Sequence, residues 1–123
     1  MREIEFRAYI KDKNKIFNVK TIDFTYKFIT FEEDNNPKDT MRMIDQVELM
    51  QYTGLKDKNG TKIFEGDIVN MLNITDYPMQ IKWNKKWARF IFYNLVDKTE
   101  MNLFTEQCEV IGNIYDNPEL IKE

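Results

Sequence analysis

A short glycine-rich stretch, Gln51 to Val69, constrains the fold of this chain more than any other segment. It holds three of the four glycines, at Gly54, Gly60 and Gly66. At its centre, Asn59 and Gly60 both tolerate the positive φ that a two-residue type I′ turn requires, which predicts a β-hairpin. Counting outward from such a turn, Leu55 pairs with Phe64 across the two strands.

A second turn is predicted directly after this hairpin, at residues 65–67, where glycine and aspartate favour a chain reversal. Ile68 and Val69 then begin a strand in which β-branched residues lead. We assign structural turn roles to Gly54, Asn59, Gly60, Gly66 and Asp67. Closely spaced turns and short strands predict a mainly β fold with hairpins and at most short helical turns. Two architectures satisfy this pattern, a small antiparallel barrel-like (SH3-like) domain and a two-sheet β domain.

Alternating side chains predict strands in the N-terminal third. Ile4, Phe6 and Ala8 alternate with charged residues, the pattern of a strand with one buried face. A polar turn at residues 11–15 leads into a second strand, and the two are expected to form a hairpin.

The clearest alternation of the chain follows, over residues 22–28. It places four side chains on one face of a strand, Ile22, Phe24, Tyr26 and Phe28. Ile29 and Phe31 fall out of phase with this face. A bulge or a turn near Phe28 and Ile29 would restore the order, because one inserted residue reverses every later side chain.

Later segments complete the predicted elements. Residues 47–52 carry apolar side chains at both alternating sets of positions, which indicates a strand covered on both faces. Residues 73–78 form a predicted loop, and residues 110–111 a last strand. Asn117 followed by Pro118 is a helix-start pair, so a single helical turn is expected from Pro118.

Three segments of the sequence resemble the YopX family of phage and prophage proteins. The central one reads V-E-L-M-Q-Y-T-G-L-K-D-K-N-G at residues 47–60 and continues as I-F-E-G-D-I-V at residues 63–69. The opening R-E-I-E-F-R-A-Y, residues 2–9, is similar to the charged start of the family. The ending E-V-I-G-N-I-Y-D-N-P-E-L, residues 109–120, is similar to its closing segment. The three segments lie in family order and span nearly the whole chain.

The resemblance implies a mostly β protein that a phage or prophage encodes and that associates with itself. It implies no biochemical activity and no catalytic residue. By length, the 123 residues are expected to form a single domain, 1–123. Within it, an N-terminal hairpin part, 1–45, and a barrel-like part, 46–123, are a possible division.

Composition predicts a folded, cytoplasmic protein, and the resemblance to a phage and prophage family implies that this cytoplasm is that of a host bacterium. Apolar residues are 42% and charged residues 32% of the chain, which suits a domain with a core and a polar surface. No apolar run reaches the roughly 20 residues of a membrane helix, and the start does not resemble a signal peptide. The single cysteine, Cys108, permits no internal disulfide and is interpreted as a small residue on a late strand.

The absence of histidine and serine removes most catalytic chemistry. Serine hydrolase triads, cysteine–histidine pairs and histidine metal sites all need side chains that this chain lacks. We therefore expect no catalytic residue, no cofactor and no metal site. The acidic loop at residues 32–39 lacks the spacing of a calcium loop. The catalytic routes that remain are a desolvated lysine, a tyrosine, or carboxylates that bind a divalent metal. A specific candidate for the last is a nuclease holding the metal with Asp67, Glu65 and a distant carboxylate.

The only cationic cluster lies between Tyr77 and Val96, where no acid occurs. Its cations and tryptophans are interleaved in the order Lys82, Trp83, Lys85, Lys86, Trp87 and Arg89. Cations beside aromatic faces are typical of single-stranded nucleic-acid sites, where bases stack and phosphates are neutralised. A structural explanation competes, since alternating tryptophans fill cores and lysines at a hairpin tip protect a sheet edge. The net charge of −3 gives the chain no general attraction for nucleic acid.

Two functional hypotheses follow. The preferred one is a non-enzymatic, oligomeric β protein that binds a host or phage protein or assembles with itself, because apolar and aromatic residues are plentiful and no catalytic constellation is visible. It requires an exposed apolar patch. The alternative is an accessory protein that binds nucleic acid through the cluster from Lys82 to Arg89. No membrane partner is expected.

Overall fold

The computed structural model describes residues 2–71, 77–103 and 107–121, and within these ranges the fold is mainly β. The strands are β1 Phe6–Ile10, β2 Lys15–Asp23, β3 Phe28–Phe31, β4 Met41–Met43, β5 Val47–Lys56, β6 Lys62–Phe64, β7 Asp67–Met71, β8 Met79–Asn84, β9 Arg89–Asn94, β10 Glu100–Asn102 and β11 Cys108–Asn113. Two 3-10 turns, Ile44–Gln46 and Pro118–Ile121, are the helical elements of this part of the chain. No helix in it is long and apolar enough to cross a membrane.

The chain divides into two compact units between Gln51 and Tyr52, within β5. The first unit is Ile4–Gln51, and the second joins residues 1–3 to residues 52–123. The division proposed from the sequence, at residues 45 and 46, lies just before this strand. That residues 1–123 behave as one domain stays a prediction.

The first unit is an antiparallel sheet with strand order β4-β3-β2-β1-β5. β1 and β2 form the predicted hairpin around the polar turn, with Ala8 opposite Phe17. One face of the sheet supplies a core of Ala8, Ile10, Phe17, Ile29, Phe31 and Val47. The rings of Phe17 and Phe31 pack with centroids 4.9 Å apart. Ile4, expected in the buried face of the first strand, instead precedes β1 and is 68% exposed.

The strand predicted over residues 22–28 is wrong, because the chain turns in the middle of that alternation. β2 ends at Asp23, whose carboxylate accepts a hydrogen bond from the Tyr26 amide at 2.8 Å. The Lys27 amide donates to the Asp23 carbonyl at 2.9 Å, with Lys27 at φ 64°. An aspartate that closes a turn locally competes with continued strand pairing. Phe24 and Tyr26 are therefore exposed on the turn, each at 73%.

The second unit contains a five-stranded antiparallel sheet with order β10-β9-β8-β7-β11. The last part of β5, from Tyr52, pairs with β6 in this unit. The core is made of Ile63, Val69, Met71, Met79, Ile81, Phe92 and Cys108. Cys108 lies on a late strand, β11, as predicted, and it is fully buried there. The two-sheet architecture is thus confirmed, and the described residues form no closed barrel.

The central hairpin forms where predicted, but its turn type and register are wrong. Of Asn59 and Gly60, only Gly60 adopts positive φ, at 83°. The Gly60 amide donates to the Asp57 carbonyl at 3.1 Å, so the reversal starts at Asp57. Tyr52, not Leu55, pairs with Phe64. The pairing is shifted because β5 bulges between Tyr52 and Lys56, in the segment that holds Gly54 at φ 88°.

The second predicted turn is present at residues 65–66, with Gly66 at φ 88°. The Phe64 amide donates to Asp67 Oδ2 at 2.8 Å and closes the turn. The Gly66 amide donates to the Ile81 carbonyl at 2.8 Å, and the Ile114 amide donates to the Gly66 carbonyl at 3.0 Å. This turn is therefore tied to two other parts of the second unit.

The remaining expectations divide into three groups. The strand over residues 47–52 is covered on both faces, since Val47, Met50 and Tyr52 are all buried. A last strand and a helical turn from Pro118 are both present. The predicted loop at 73–78 lies mostly outside the described residues, which resume at Tyr77.

Candidate functional site

The cationic cluster lies on the hairpin of β8 and β9. Asn84 pairs with Arg89, and residues 85–88 form the turn between them. The Asn84 side-chain oxygen accepts a hydrogen bond from the Trp87 amide at 2.8 Å, and Ala88 takes positive φ at 53°. The asparagine thus closes the turn, and the returning strand begins at Arg89.

Both tryptophans of the chain are exposed on this hairpin, so neither is a buried core residue. Trp83 is 45% exposed and Trp87 59% exposed. Trp83 pairs with Phe90 on the side of the sheet that also carries Ile81 and Phe92. Its ring meets the Phe90 ring edge-on, with centroids 5.0 Å apart. Trp83 therefore extends the core outward.

Trp87 is set among cations. The Lys86 Nζ lies 5.3 Å and the Arg89 Cζ 5.8 Å from the Trp87 ring centroid, within the usual range of cation–π contacts. The face of the hairpin opposite Trp83 and Phe90 is its outward side, and it carries Lys82, Arg89 and Tyr93. On this side, the Lys82 Nζ lies 4.2 Å from the Tyr93 ring centroid. The fold thus brings three of the four predicted cations, Lys82, Lys86 and Arg89, to the rings of Trp87 and Tyr93, while Lys85 lies on the turn.

A shallow groove of about 380 Å³ runs beside Trp87. Arg89 and Ile91 line it from β9, and Glu100 and Asn102 line it from β10. The Glu100 carboxylate accepts a hydrogen bond from Asn84 Nδ2 at 2.8 Å. Although residues 77–96 contain no acid, pairing with β10 introduces one carboxylate beside the cations. Nothing in the local sequence identifies Glu100, because β10 is far along the chain from the hairpin tip.

A buried carboxylate, Asp57, holds the central hairpin against β11. Asp57 Oδ1 accepts hydrogen bonds from the Asn59 amide at 2.8 Å and the Thr61 amide at 2.9 Å. Asp57 Oδ2 accepts from the Val110 amide at 2.9 Å. Burial by itself would raise the pKa of Asp57, but these three amides stabilise the anion and hold the pKa below its usual value. The role of Asp57 is therefore structural.

Asp67 and Glu65, the residues of the alternative metal site, lie at the turn before β7. Asp67 is buried and directs Oδ2 to the Phe64 amide. Among the residues that the structure describes, no three acidic, cysteine or histidine side chains are grouped so as to hold a metal ion.

A second surface feature is an apolar groove of about 500 Å³ on the first unit. Its apolar lining is formed by Ile4, Phe6, Val19, Ile22 and Phe24. Glu5, Lys20 and Thr21 complete it. The groove exists because β2 is irregular between Val19 and Thr21 and because the chain turns at Phe24. The sequence pattern placed Phe24 in a strand and therefore missed this groove.

An ion-pair network on the first unit was also missed. Arg42, on β4, donates through Nε and one amino group to Asp12 at 2.9 and 2.8 Å, and through its other amino group to Asp39 at 2.6 Å. The hydrogen bonds from Arg42 lower the pKa of both carboxyl groups, and Lys13 adds to the effect on Asp39. The Arg42 guanidinium also lies 5.8 Å from the centre of the Phe31 ring. This network joins the first hairpin turn to the edge strand.

Comparison with known proteins gives a family and a fold. The family model described as YopX protein matches residues 5–122. A crystal structure of protein EF1440 from Enterococcus faecalis is similar, with a TM-score of 0.70 and 26% identity, over 99% of this chain and 100% of that chain. The crystal structure of protein yopX from Bacillus subtilis has a TM-score of 0.59 and 15% identity, over 97% and 96% of the two chains. No curated protein matches the chain.

Proposed function

Because the chain belongs to the YopX family, we propose that it is a non-enzymatic protein that assembles with itself. The phage and prophage origin of the proteins it resembles favours a role inside an infected cell. Its place of action is the cytoplasm of the host bacterium. The sequence supports a non-enzymatic role, since the side chains of the common hydrolytic machineries are missing.

The observation that carries this proposal is the apolar groove on the first unit. Phe24 is 73% exposed and Ile4 68% exposed, and both line it. Two large apolar side chains at one concave site leave apolar surface in contact with water, and covering it is favourable at about 25 cal/mol per Å². Contiguous patches of this kind mark interaction sites more often than scattered single residues do.

A second copy of the chain is the occupant that the groove fits best. Its lining contains one acid, Glu5, and one base, Lys20, beside the apolar side chains. In a two-fold contact the same patch faces itself, so each copy brings one acid and one base to the contact. A lining with both signs of charge is therefore complementary to itself, whereas a lining with one sign would repel its own copy.

The test is the mass of the protein in solution, compared between two matched variants. Phe24 and Tyr26 lie on the same turn and are both 73% exposed, but only Phe24 lines the groove. We expect the wild type and Tyr26→Lys to have a mass that is a multiple of 14.9 kDa by light scattering. Phe24→Lys should shift towards the single-chain mass, because a charge at the centre of an apolar contact is costly to bury.

The choice of position makes the result interpretable. Both side chains are outside the core, so neither lysine should change the thermal unfolding midpoint by more than a few degrees. A wild type with the mass of one chain at all concentrations would contradict the proposal. Equal dissociation by both variants would also contradict it, because the contact would then depend on the turn as a whole and not on the groove.

A further inference from the structure

We propose that the outward side of the β8–β9 hairpin binds single-stranded nucleic acid, with bases stacking on Trp87 and Tyr93 and phosphates held by Lys82, Lys85, Lys86 and Arg89. This site is distinct from the groove on the first unit, and its chemistry does not depend on self-assembly. It uses a different aromatic pair from the one the sequence suggested, because Trp83 lies with Phe90 on the side of the sheet that continues the core.

The aromatic rings are placed to accept bases. Trp87 is on the turn and 59% exposed, and Tyr93 is four residues along β9 from Arg89 and half-buried. Residues that differ by two along a strand share a face, so Arg89, Ile91 and Tyr93 form one row, in which Ile91 is buried between an exposed Arg89 and a half-buried Tyr93. That row spans about 13 Å. Unpaired bases have free faces for stacking, whereas the bases of a duplex stack on one another.

The cations are placed to neutralise phosphates beside those rings. Lys86 and Arg89 approach the Trp87 ring at 5.3 and 5.8 Å, and Lys82 approaches the Tyr93 ring at 4.2 Å. Each aromatic ring thus has at least one cation at its face or edge. A strand whose bases lie on the rings brings its phosphates to these cations. Alternating aromatic and cationic groups are the recurring composition of sequence-tolerant single-strand sites.

One carboxylate opposes binding and sets the expected strength. Glu100 lines the groove beside Trp87 and is held by Asn84. The net charge of −3 adds a weak general repulsion. We therefore expect modest affinity that falls steeply with salt. Neutralisation of four phosphates corresponds to a slope of log K against log salt of about −3 at most.

The experiment uses a fluorescein-labelled oligo-dT of about 12 nucleotides, the length range of one small single-strand site, and follows its anisotropy at low and moderate salt. The first variant changes Lys82, Lys85, Lys86 and Arg89 to glutamine. The matched control changes four exposed lysines elsewhere, Lys15, Lys27, Lys38 and Lys56, to glutamine. Both variants lose four positive charges and so have the same net charge. The four substitutions in the hairpin should lower the affinity for oligo-dT at least 10-fold more than the four control substitutions do.

Three further variants separate stacking from charge. Glu100→Gln should bind two- to fivefold more tightly than the wild type, because it removes the one carboxylate among the described residues that line the groove. Since both tryptophans lie in this hairpin, Trp83→Phe leaves Trp87 as the sole indole and Trp87→Phe leaves Trp83. Quenching by oligo-dT should be larger in Trp83→Phe. The circular dichroism of each variant verifies the fold.

Several outcomes would overturn the proposal. One is the absence of oligo-dT binding by the wild type at low salt. Others are equal loss of binding in the two four-residue variants, or a duplex of the same length binding as tightly as the single strand. The Phe24→Lys protein should bind oligo-dT as the wild type does. Failure of the nucleic-acid proposal therefore leaves the self-assembly proposal intact, and the reverse also holds.

Discussion

Carboxylates stabilise turns in both units, but they are solvent-exposed in the first unit and buried in the second. In the first unit, Asp12 and Asp39 remain 61% and 44% exposed while they bind Arg42. In the second unit, Asp57 is only 7% exposed and accepts three main-chain amides. Solvent and salt screen the first arrangement, whereas little of the second is exposed to solvent, so a lost hydrogen bond there leaves buried amides without an acceptor. The same residue type should therefore contribute very differently to stability in the two units.

The largest expected effect comes from Asp57→Ala. The change leaves the amides of Asn59, Thr61 and Val110 without their acceptor in a buried place, which should cost about 2–4 kcal/mol in the free energy of unfolding. Urea unfolding followed by circular dichroism measures the loss. Asp57→Asn keeps one acceptor oxygen and should lie between the alanine variant and the wild type. A cost below about 0.5 kcal/mol for Asp57→Ala would show that water replaces the carboxylate.

Acid should remove the contribution of Asp57. Its pKa in the folded protein lies below the unfolded value of about 3.9, so its stabilisation is complete above about pH 5 and is lost as the pH falls through the folded pKa. The stability difference between the wild type and Asp57→Asn should therefore shrink between pH 6 and pH 3. Urea midpoints over this range provide the measurement. A stability difference that stays constant over this pH range would mean that the negative charge of Asp57 does not contribute to its stabilising hydrogen bonds.

The smallest expected effect comes from Asp39→Asn. This change removes one charge from the Arg42 network while Asp12 still binds the guanidinium, so the melting temperature should fall by a few degrees at most. The fall should disappear in about 1 M salt, where exposed charges are screened within about 3 Å. Differential scanning calorimetry at two salt concentrations tests both statements. A loss as large as that of Asp57→Ala would remove the contrast between the two units.

Local turn chemistry decided where sequence interpretation succeeded and failed. The turn at residues 65–67 and the helical turn at Pro118 were predicted correctly, because their key residues lie next to one another in the chain. The register of the central hairpin was not predicted, because β5 bulges between Tyr52 and Lys56 and the reversal that follows starts at Asp57, whose third partner is the Val110 amide from β11. Nothing near Asp57 in the sequence indicates that contact. Phe24 was misplaced for a related reason, since the Asp23 side chain ends an otherwise regular alternation.

The candidate site was predicted in part. All four cations and Trp87 meet on one hairpin, as their spacing indicated. The separation of Trp83 from Trp87 could not be foreseen, because it follows from a turn that starts at Asn84 and delays the return strand to Arg89. Glu100 was missed because a three-residue edge strand carries too little pattern to be recognised.

The buried position of Cys108 gives the unaltered protein a kinetic reporter. It is the single thiol of the chain, and its backbone pairs with Met71 on β7 while its carbonyl accepts the Lys58 amide at 3.1 Å. A thiol reagent can reach the sulfur only after β11 separates locally from its neighbours. The labelling rate of the native protein therefore counts these opening events and gives the local opening free energy when the chemical step is slow. The local opening of β11 can therefore be followed over time in the wild-type protein, without any substitution.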